Sequence, residues 1–283
     1  MQSILRDLRT LRFMRWFSGN VLAAIGALVL LLEALTYVVG PLALGGWRLG
    51  LAIAVISVTY GLFRAWPRPI QQEYNGPKIA IKIIKGDIFD QECNIVVGTC
   101  DTFDTSVPHV ISKNSVQGQA LERLYGGDVA RLDRAIDLAI SGKPIVGEIE
   151  KPGKTIKYGV GAVASLPNAA DLLYLLAYCE MNADNQAGST VDDVWRSLAS
   201  LWEEISRTAN GTPVAIPVLG GGQSRLSHVL PAQDSIRLIA LSFMFACRNK
   251  KACDELRIVV QPKDFERLDR LELQAFLSSL KQS

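Results

Sequence analysis

The stretch AIPVLGGGQSRLSHVLP, residues 215–231, places three consecutive glycines between an apolar, β-rich run and a segment of helical character. Glycine weakens strands and helices, so a triplet at such a junction marks a turn that needs positive φ or a main chain that a ligand approaches closely. The loop lacks the Lys-Ser/Thr pair of a P-loop, and Arg225 stands where the dinucleotide fingerprint has its third glycine. Consecutive glycine amides can still point into one concavity ahead of a helix. The pattern therefore predicts an anion-binding turn after a strand.

Strands and helices alternate on both sides of this loop. The predicted strands are Lys78–Lys85, Cys93–Gly98, Lys154–Leu166, Leu172–Cys179, Pro213–Leu219 and Leu256–Gln261. The run Leu172–Cys179 could equally be a buried helix, because periodicity cannot separate the two in so short a segment. The predicted helices are two within Val116–Ile140, then Thr190–Ala209 with Thr190 as N-cap, Ala232–Cys247 and Phe265–Leu280. This alternation predicts an α/β fold with a mixed sheet flanked by helices, in which a ligand binds at the carboxyl ends of strands.

The first seventy residues hold the apolar surplus of this 283-residue, 49% hydrophobic chain. Val21–Val39 is an apolar run broken only by Glu33 and Thr36, and it meets the roughly 20 apolar residues of a membrane span. A second run, Leu49–Phe63, reaches that length only by including the residues from 41 onward and tolerating Arg48. We therefore predict a two-helix transmembrane hairpin at about 21–39 and 45–63. A cleaved signal peptide is the alternative for the first span, and the second span would remain in that case.

Basic residues set the expected orientation of the hairpin. Arg6, Arg9, Arg12 and Arg15 precede the first span, Arg64 and Arg68 follow the second, and the connection 40–47 carries no charge. Positive flanks stay in the cytoplasm, so both ends of the hairpin are expected there. The predicted organisation is a cytoplasmic basic segment 1–20, the hairpin 21–66, a linker 67–77 rich in proline, and a cytoplasmic domain 78–283.

Charge and metal-ligand content exclude several classes of function. The net charge of +2 gives no electrostatic footprint for nucleic acid. Five cysteines without a C-x-x-C pair indicate a reduced cytosolic domain without structural zinc, and two histidines cannot build a multi-histidine metal site. We expect no metal, no cofactor and no nucleic-acid partner.

Two further motifs follow predicted strands. IKGDIFD, residues 84–90, follows the first strand of the domain, and VVGTCDTFDT, residues 96–105, ends the next. Alone, the first is a solvated acidic turn and the second a polar loop. Together with the glycine loop, their order and spacing resemble a macro domain, the ADP-ribose-binding module. The resemblance covers about residues 78–283.

The resemblance implies a role for each matching residue. Asp87 would accept a hydrogen bond from the adenine amino group, and the Ile88 amide would donate to a ring nitrogen. Phe265 would stack on adenine, although it could equally be a core contact of the terminal helix. The diphosphate would be held by main-chain donors of Gly220, Gly221, Gly222, Gln223 and Ser224, with Arg225 adding charge, and the distal ribose would be lined by Thr99, Cys100, Asp101 and Thr102.

The chain also departs from the macro-domain pattern. Macro domains that hydrolyse ADP-ribose conjugates carry an Asn-rich strand end followed by three glycines near the distal ribose, whereas this chain has TCDTFD at residues 99–104. No catalytic set is evident, and Cys100 as nucleophile would need a base that only His109, nine residues on, offers. We therefore expect a binding protein rather than an enzyme. A membrane-tethered ADP-ribosyl hydrolase and an anchoring module with a decayed pocket are the alternatives.

Two spans followed by a divergent macro domain resemble the membrane-anchored macro-domain effectors of type II Thoeris anti-phage systems, the ThsA family. The resemblance implies a receptor in the bacterial inner membrane for an ADP-ribose-derived second messenger, a histidine-conjugated ADP-ribose made by a TIR-domain protein after infection. It further implies a homo-oligomer that disrupts the lipid membrane. An ionisable residue inside a span is costly, so Glu33 is expected to meet a second helix, a watery path or the headgroups.

Overall fold

The computed structural model describes residues 11–40, 46–65, 69–221 and 226–281. The chain divides into two compact units, Met1–Arg68 and Pro69–Ser283. The division falls at the start of the segment 67–77 that the sequence predicts as a linker.

The first unit contains two helices, α1 (Leu11–Val39) and α2 (Trp47–Ala65). Within them, Phe13–Val39 and Trp47–Arg64 are long and apolar enough to cross a membrane, judged by length and composition. Helix α1 already includes residues 11–20, which the sequence analysis assigned to a separate basic segment, because the apolar residues of FMRWF continue the helical pattern upstream of the span. The predicted turn at 41–45 lies outside the described residues.

The two helices of this unit approach each other closely at Gly61. A Cβ atom there would lie 2.5 Å from Val21 Cγ2 and 3.2 Å from the Phe17 ring. Such a distance is shorter than any real contact, so this crossing requires glycine.

The second unit is built on one mixed β-sheet. Its strands run in the order β1-β2-β10-β9-β3-β7-β6, with β8 paired to β7. The five central strands β2, β10, β9, β3 and β7 are parallel, whereas β1, β6 and β8 pair antiparallel with their neighbours. The strands are β1 (Ile70–Tyr74), β2 (Ile79–Lys85), β3 (Asn94–Cys100), β4 (Gly147–Glu148), β5 (Ile156–Lys157), β6 (Val163–Asn168), β7 (Asp171–Met181), β8 (Ala187–Gly188), β9 (Val214–Pro217) and β10 (Glu255–Val260), of which β4 and β5 form a separate ribbon.

Helices cover both faces of this sheet. One buried cluster joins the sheet to α5, α6 and α8, and a second joins the opposite face to α3 and α4. The helices are α3 (Val116–Tyr125), α4 (Val129–Ile140), α5 (Val191–Thr208), α6 (Ala232–Asn249), α7 (Pro262–Phe265) and α8 (Arg270–Ser279). The predicted α/β fold, a mixed sheet flanked by helices, is confirmed.

The run Leu172–Cys179, which the sequence left open as a strand or a buried helix, is part of strand β7. Its residues from Leu173 to Cys179 are all buried, as a central strand covered on both faces requires. The cap of α5 follows the prediction as well. The Thr190 side chain accepts from the Asp193 amide, and the Asp193 carboxylate accepts from the Thr190 amide, which completes a capping box.

Three segments differ from the sequence-based expectation. The predicted linker contains strand β1, whose Ile70 and Tyr74 are buried, with the Tyr74 hydroxyl donating to Leu277 O at 2.7 Å. The polar residues between Ile70 and Tyr74, together with the nearby prolines, hide the hydrophobic pattern of this short edge strand in the sequence. The single strand predicted over 154–166 is divided into β5 and β6, because Gly159 and Gly161 adopt positive φ between them. The predicted terminal helix is divided into α7 and α8, since Asp269 caps a new helix.

Candidate functional site

A cleft of about 1160 Å³ opens at the carboxyl ends of the five parallel strands. Open parallel sheets place ligand sites at this edge because loops there diverge to either side. The lining comes from the loops after β2, β3, β9 and β10, from the end of β7 and from the start of α3. The cleft therefore runs across the ends of several neighbouring strands rather than along one strand.

Asp87 lies at one end of the cleft, directly after β2. Its Oδ1 accepts from the Phe89 amide at 3.0 Å and caps a single 3-10 turn, Ile88–Asp90. Its Oδ2 pairs with Arg123 Nη1 at 2.8 Å, and the Arg123 guanidinium lies over the Phe89 ring. The Asp87 side chain remains about one-third exposed, at 32%, so its carboxylate can still accept a donor from the cleft.

Ile88 presents its backbone to the same end of the cleft. Its side chain is buried in the sheet's second core cluster. Among the described residues, no acceptor is found for its amide N–H. The predicted pair, a carboxylate acceptor followed by an amide donor, is therefore brought together at this end.

The glycine turn follows β9, at the middle of the cleft. Gly220 has φ of +90°, and Ser235 of α6 donates to Leu219 O at 2.8 Å, which ties the helix to the turn. Gly221 lines the cleft, and a Cβ atom added to it would meet no described residue within 4 Å. Gly222, Gln223, Ser224 and Arg225 lie outside the described residues, so their roles stay predictions.

The end of β3 supplies Gly98, Thr99 and Cys100 to the cleft. A Cβ atom on Gly98 would lie 2.4 Å from Tyr178 Cε1, so glycine is needed for the Tyr178 ring to rest against this strand. Thr99 is only 3% exposed, and no hydrogen-bond partner for its hydroxyl is found within the described part of the chain.

Cys100 and Cys179 form a pair of thiols in the cleft wall. They are in register on the neighbouring strands β3 and β7, and both are free cysteines. A hydrogen bond with Cys100, together with burial, raises the pKa of Cys179 above the ordinary thiol range. The Cys179 sulfur is therefore protonated at neutral pH.

Asp101 and Thr102, which the resemblance assigns to the distal ribose, are buried beneath the cleft and do not line it. Asp101 Oδ1 accepts from the Met181 amide at 2.9 Å, and its Oδ2 lies 3.1 Å from Lys157 Nζ. Burial raises the pKa of Asp101, and the Met181 amide and Lys157 offset this in part. The Thr102 hydroxyl donates to Asp104 at 2.5 Å. The side chains of Asp101 and Thr102 therefore lie behind the residues that line the cleft.

A buried ion pair that the sequence analysis missed lies beside this wall. Lys151 Nζ donates to Asp104 Oδ2 at 2.8 Å, and the two side chains are 0% and 3% exposed. Asp104 lines the cleft, and its Oδ1 accepts from the Lys154 amide at 2.9 Å. In the sequence, Lys151 belongs to EKPGKT, which has the composition of an exposed turn, so no local signal marks its burial.

Asn185 is a second residue that the sequence analysis missed. It lies in the turn between β7 and β8, lines the cleft and adopts φ of +56°. Its Nδ2 donates to Pro152 O at 3.1 Å. The surrounding sequence NADNQ shows only that a turn is present, since asparagine tolerates the left-handed conformation better than most residues.

Phe265 does not line the cleft. It ends α7, packs against the core, and lies under the Arg270 guanidinium at 5.6 Å. Of the two roles weighed for it, the core contact matches this position. Phe89, beside Asp87, is the aromatic residue that lines this end of the cleft.

The second unit has the fold expected of a macro domain, with five parallel central strands in a mixed sheet, helices on both faces and a cleft at the carboxyl strand ends. The family model described as "Thoeris protein ThsA, Macro domain" matches residues 81–261. The chain therefore belongs to the Thoeris ThsA macro-domain family.

Individual proteins are also similar to this chain. The Thoeris protein ThsA of Bacillus amyloliquefaciens (strain Y2) is 25% identical over 236 residues, which cover 80% of this chain and 76% of that protein. A structure of the Oceanobacillus iheyensis macrodomain with ADP is similar with a TM-score of 0.49 at 12% identity, over 76% of this chain and 98% of that one. The same macrodomain with MES bound gives a TM-score of 0.47 at 13% identity, over 74% and 97% of the two chains.

Proposed function

We propose that the cleft binds an ADP-ribose-type nucleotide and that the chain is a membrane-anchored effector of Thoeris defence. The observation that carries the proposal is the alignment of three features in one cleft: the Asp87–Ile88 end, the glycine turn at Gly221 and the polar end of β3. These features follow the strand order β2-β10-β9-β3. A base, a diphosphate and a distal ribose have the same linear order.

The chemistry of each position fits the corresponding part of the nucleotide. The Asp87 carboxylate accepts from an exocyclic amino group, and the Ile88 amide donates to a ring nitrogen. Charge-assisted hydrogen bonds of this kind contribute about 1.5–3 kcal/mol each. Bare glycine amides ahead of a helix suit a diphosphate, because the amides and the helix N-terminus both favour negative charge.

The signal and its effect follow from the family context. We propose a histidine-conjugated ADP-ribose, made by a TIR-domain protein, as the physiological ligand. A ligand shifts an equilibrium only through different affinities for two states, so binding would favour a homo-oligomer over separate chains. Assembly would cluster the two-helix hairpins in the bacterial inner membrane, with the macro domain in the cytoplasm, and disrupt the bilayer. The length and hydropathy of the two N-terminal helices support the membrane association within this proposal.

Replacing Gly221 tests the phosphate site. The Cβ atom of Gly221→Trp meets nothing within 4 Å among the described residues, and Gly221 lines the cleft, so the fold should persist while the indole ring competes with the diphosphate. Calorimetry on the full chain in detergent should show affinity for ADP-ribose and its histidine conjugate falling about a hundredfold, the loss of two charge-assisted hydrogen bonds. Gly221→Ala is the matched control with little effect. Unchanged affinity in Gly221→Trp would refute the phosphate assignment.

The same samples separate a receptor from an ADP-ribosyl hydrolase. A receptor returns the conjugate intact after prolonged incubation, whereas a hydrolase releases free ADP-ribose. Chromatography of the ligand after binding makes the distinction, and turnover by the full chain would favour the enzyme.

A further inference from the structure

The wall of the cleft contains two thiols on neighbouring strands. Cys100 ends β3, Cys179 lies in β7, and both residues line the cleft. All five cysteines of the chain lie among the described residues and are free, but Cys100 is partly exposed whereas the other four are buried. When an accessible thiol lies beside a second one, the first sulfur can react with an oxidant and the second can resolve the product.

A bulge in β7 brings the two sulfur atoms to the same face of the sheet. Thr99 pairs with Ala177. The next residue, Cys100, pairs with Cys179, so Tyr178 is an extra residue in β7. Because side chains alternate between the two faces of a sheet, the extra residue moves Cys179 to the face that Cys100 occupies. Both cysteines accordingly contact the same core cluster.

The backbone holds the pair at a separation that suits a disulfide. Neighbouring strands lie about 4.8 Å apart, and a disulfide joins Cα atoms that are about 4.4–6.8 Å apart. The Asp101 amide donates to Cys179 O at 2.9 Å, so the strands stay paired beyond the two cysteines. The side chains also meet, because the Cys100 and Cys179 thiols share a hydrogen bond. A disulfide therefore requires the sulfur atoms to approach, but no change in strand pairing.

The surroundings of the two sulfur atoms give them different roles. Cys100 is half-buried at the cleft surface, whereas Cys179 is only 3% exposed. The hydrogen bond with Cys100, together with burial, raises the pKa of Cys179, so the Cys179 thiol donates and the Cys100 sulfur accepts. An oxidant that enters the cleft therefore meets Cys100 first. Once Cys100 is oxidised, the contact makes the second step intramolecular, which offsets the weak nucleophilicity of a protonated thiol.

We propose that Cys100 and Cys179 are a redox-active pair that a hydroperoxide converts into an intramolecular disulfide in the cleft wall. The Cys100 thiolate attacks one oxygen of hydrogen peroxide and the O–O bond breaks, which leaves a sulfenic acid on Cys100 and a hydroxide that takes the Cys100 proton. The Cys179 sulfur then attacks the Cys100 sulfur, and the departing hydroxide takes the Cys179 proton. Two thiols and one peroxide thus give one disulfide and two water molecules. The reaction needs no nucleotide, so this modification site goes beyond the proposed function.

Peptide mapping of the full chain in detergent tests the pair. After treatment with hydrogen peroxide and blocking of the remaining thiols, the tryptic peptides that contain Cys100 and Cys179 should be joined, with the loss of two hydrogen atoms. A dithiol reductant should separate them again. Cys93 lies on the same tryptic peptide as Cys100, because no Lys or Arg stands between them. Cys93→Ser is therefore the matched control, in which a buried thiol is removed and the cross-link should remain.

Two single variants distinguish the roles of the two sulfur atoms. Cys179→Ser should leave Cys100 as a sulfenic acid that dimedone traps, since the resolving thiol is missing. Cys100→Ser should give neither a cross-link nor a trapped sulfenic acid on Cys179, because the remaining thiol is buried and protonated. The cross-link in the unmodified chain is measured independently of whether either variant folds.

Two results would overturn the inference. The first is an unmodified chain whose Cys100 and Cys179 peptides stay separate after peroxide treatment. The second is a folded Cys179→Ser variant that yields no trapped sulfenic acid at Cys100. Neither result bears on the nucleotide proposal, which calorimetry tests on the reduced protein, and a chain that binds no nucleotide can still form the cross-link.

Discussion

At the Asp87 end of the cleft the polar side chain already has protein partners, whereas at the Asn185 end two buried polar atoms have none in the described part of the chain. The Asp87 carboxylate is held by the Phe89 amide and by Arg123 before any ligand arrives. The Thr99 hydroxyl and the Asn185 oxygen are desolvated without compensation. The Asp87 end is therefore preorganised by the protein itself, whereas the Asn185 end keeps two unsatisfied polar atoms among the described residues.

The largest expected effect comes from removing Lys151, the buried cation beside the Asn185 end of the cleft. Lys151→Met leaves the Asp104 carboxylate uncompensated, and breaking a buried pair costs about 3–5 kcal/mol of the free energy of unfolding. Urea denaturation of the full chain in detergent measures the loss. The double variant Asp104→Asn/Lys151→Met removes the stranded charge and should recover part of that stability. A single variant as stable as the unmodified chain would mean that the ion pair does not support this wall.

A methyl group added at Gly98 of β3 should disturb the cleft wall between the Asp87 end and the Asn185 end. Gly98→Ala places a carbon 2.4 Å from the Tyr178 ring, so the ring or the strand must move, at a cost of about 1–3 kcal/mol. Gly221→Ala, where the added carbon meets no described residue within 4 Å, should change the free energy of unfolding by less than about 0.5 kcal/mol. Thermal unfolding of the two variants side by side measures the contrast, and equal Tm values would contradict it.

A change at Asp87, at the preorganised end of the cleft, should lower the affinity for the ligand more than the free energy of unfolding. Asp87→Asn still caps the 3-10 turn, and its pair with Arg123 is half exposed, so the free energy of unfolding should fall by less than about 1 kcal/mol. Affinity for ADP and ADP-ribose alike should fall about tenfold, because a neutral amide oxygen accepts less strongly than a carboxylate. Calorimetry with both ligands checks this. A loss limited to ADP-ribose would reverse the assignment of the two ends.

The smallest effect concerns pH. Burial raises the pKa of Asp101 in the folded chain, so the folded state holds this proton to higher pH than the unfolded state does. The stability that Asp101 contributes is therefore greatest in acid and falls as pH rises from the ordinary value of 3.8 toward the folded pKa. Urea titrations at several acidic pH values should show Asp101→Asn gaining on the unmodified chain as pH rises. A gain in the opposite direction would show that Lys157 dominates the carboxylate.

Local patterns predict the sheet and the preorganised end well. The α5 cap and the turn at Gly220 each depend on a few adjacent residues, because capping and φ preference act over short distances. The Asp87–Ile88 turn is also a contiguous motif. All of these could be assigned from the sequence.

The Asn185 end of the cleft depends on contacts between residues that are far apart in the sequence. Asp104 meets Lys151 only because the loop after β3 contacts the loop between β4 and β5 in the folded chain. Asn185 meets Pro152 because the turn after β7 contacts that same loop. Neither pair has a periodicity or a spacing that marks it. Strand β1 was missed for a related reason, since its pairing with β2 and its contact with Leu277 are tertiary.

The sulfur atoms of Cys100 and Cys179 give the cleft wall a chemical character of its own. Because a thiolate rather than a thiol attacks electrophiles, the raised pKa of Cys179 makes that sulfur a poor nucleophile toward an aldehyde or a glycosidic carbon. Alkylating reagents should therefore label Cys179 slowly while the domain is folded, and rapidly once it is unfolded.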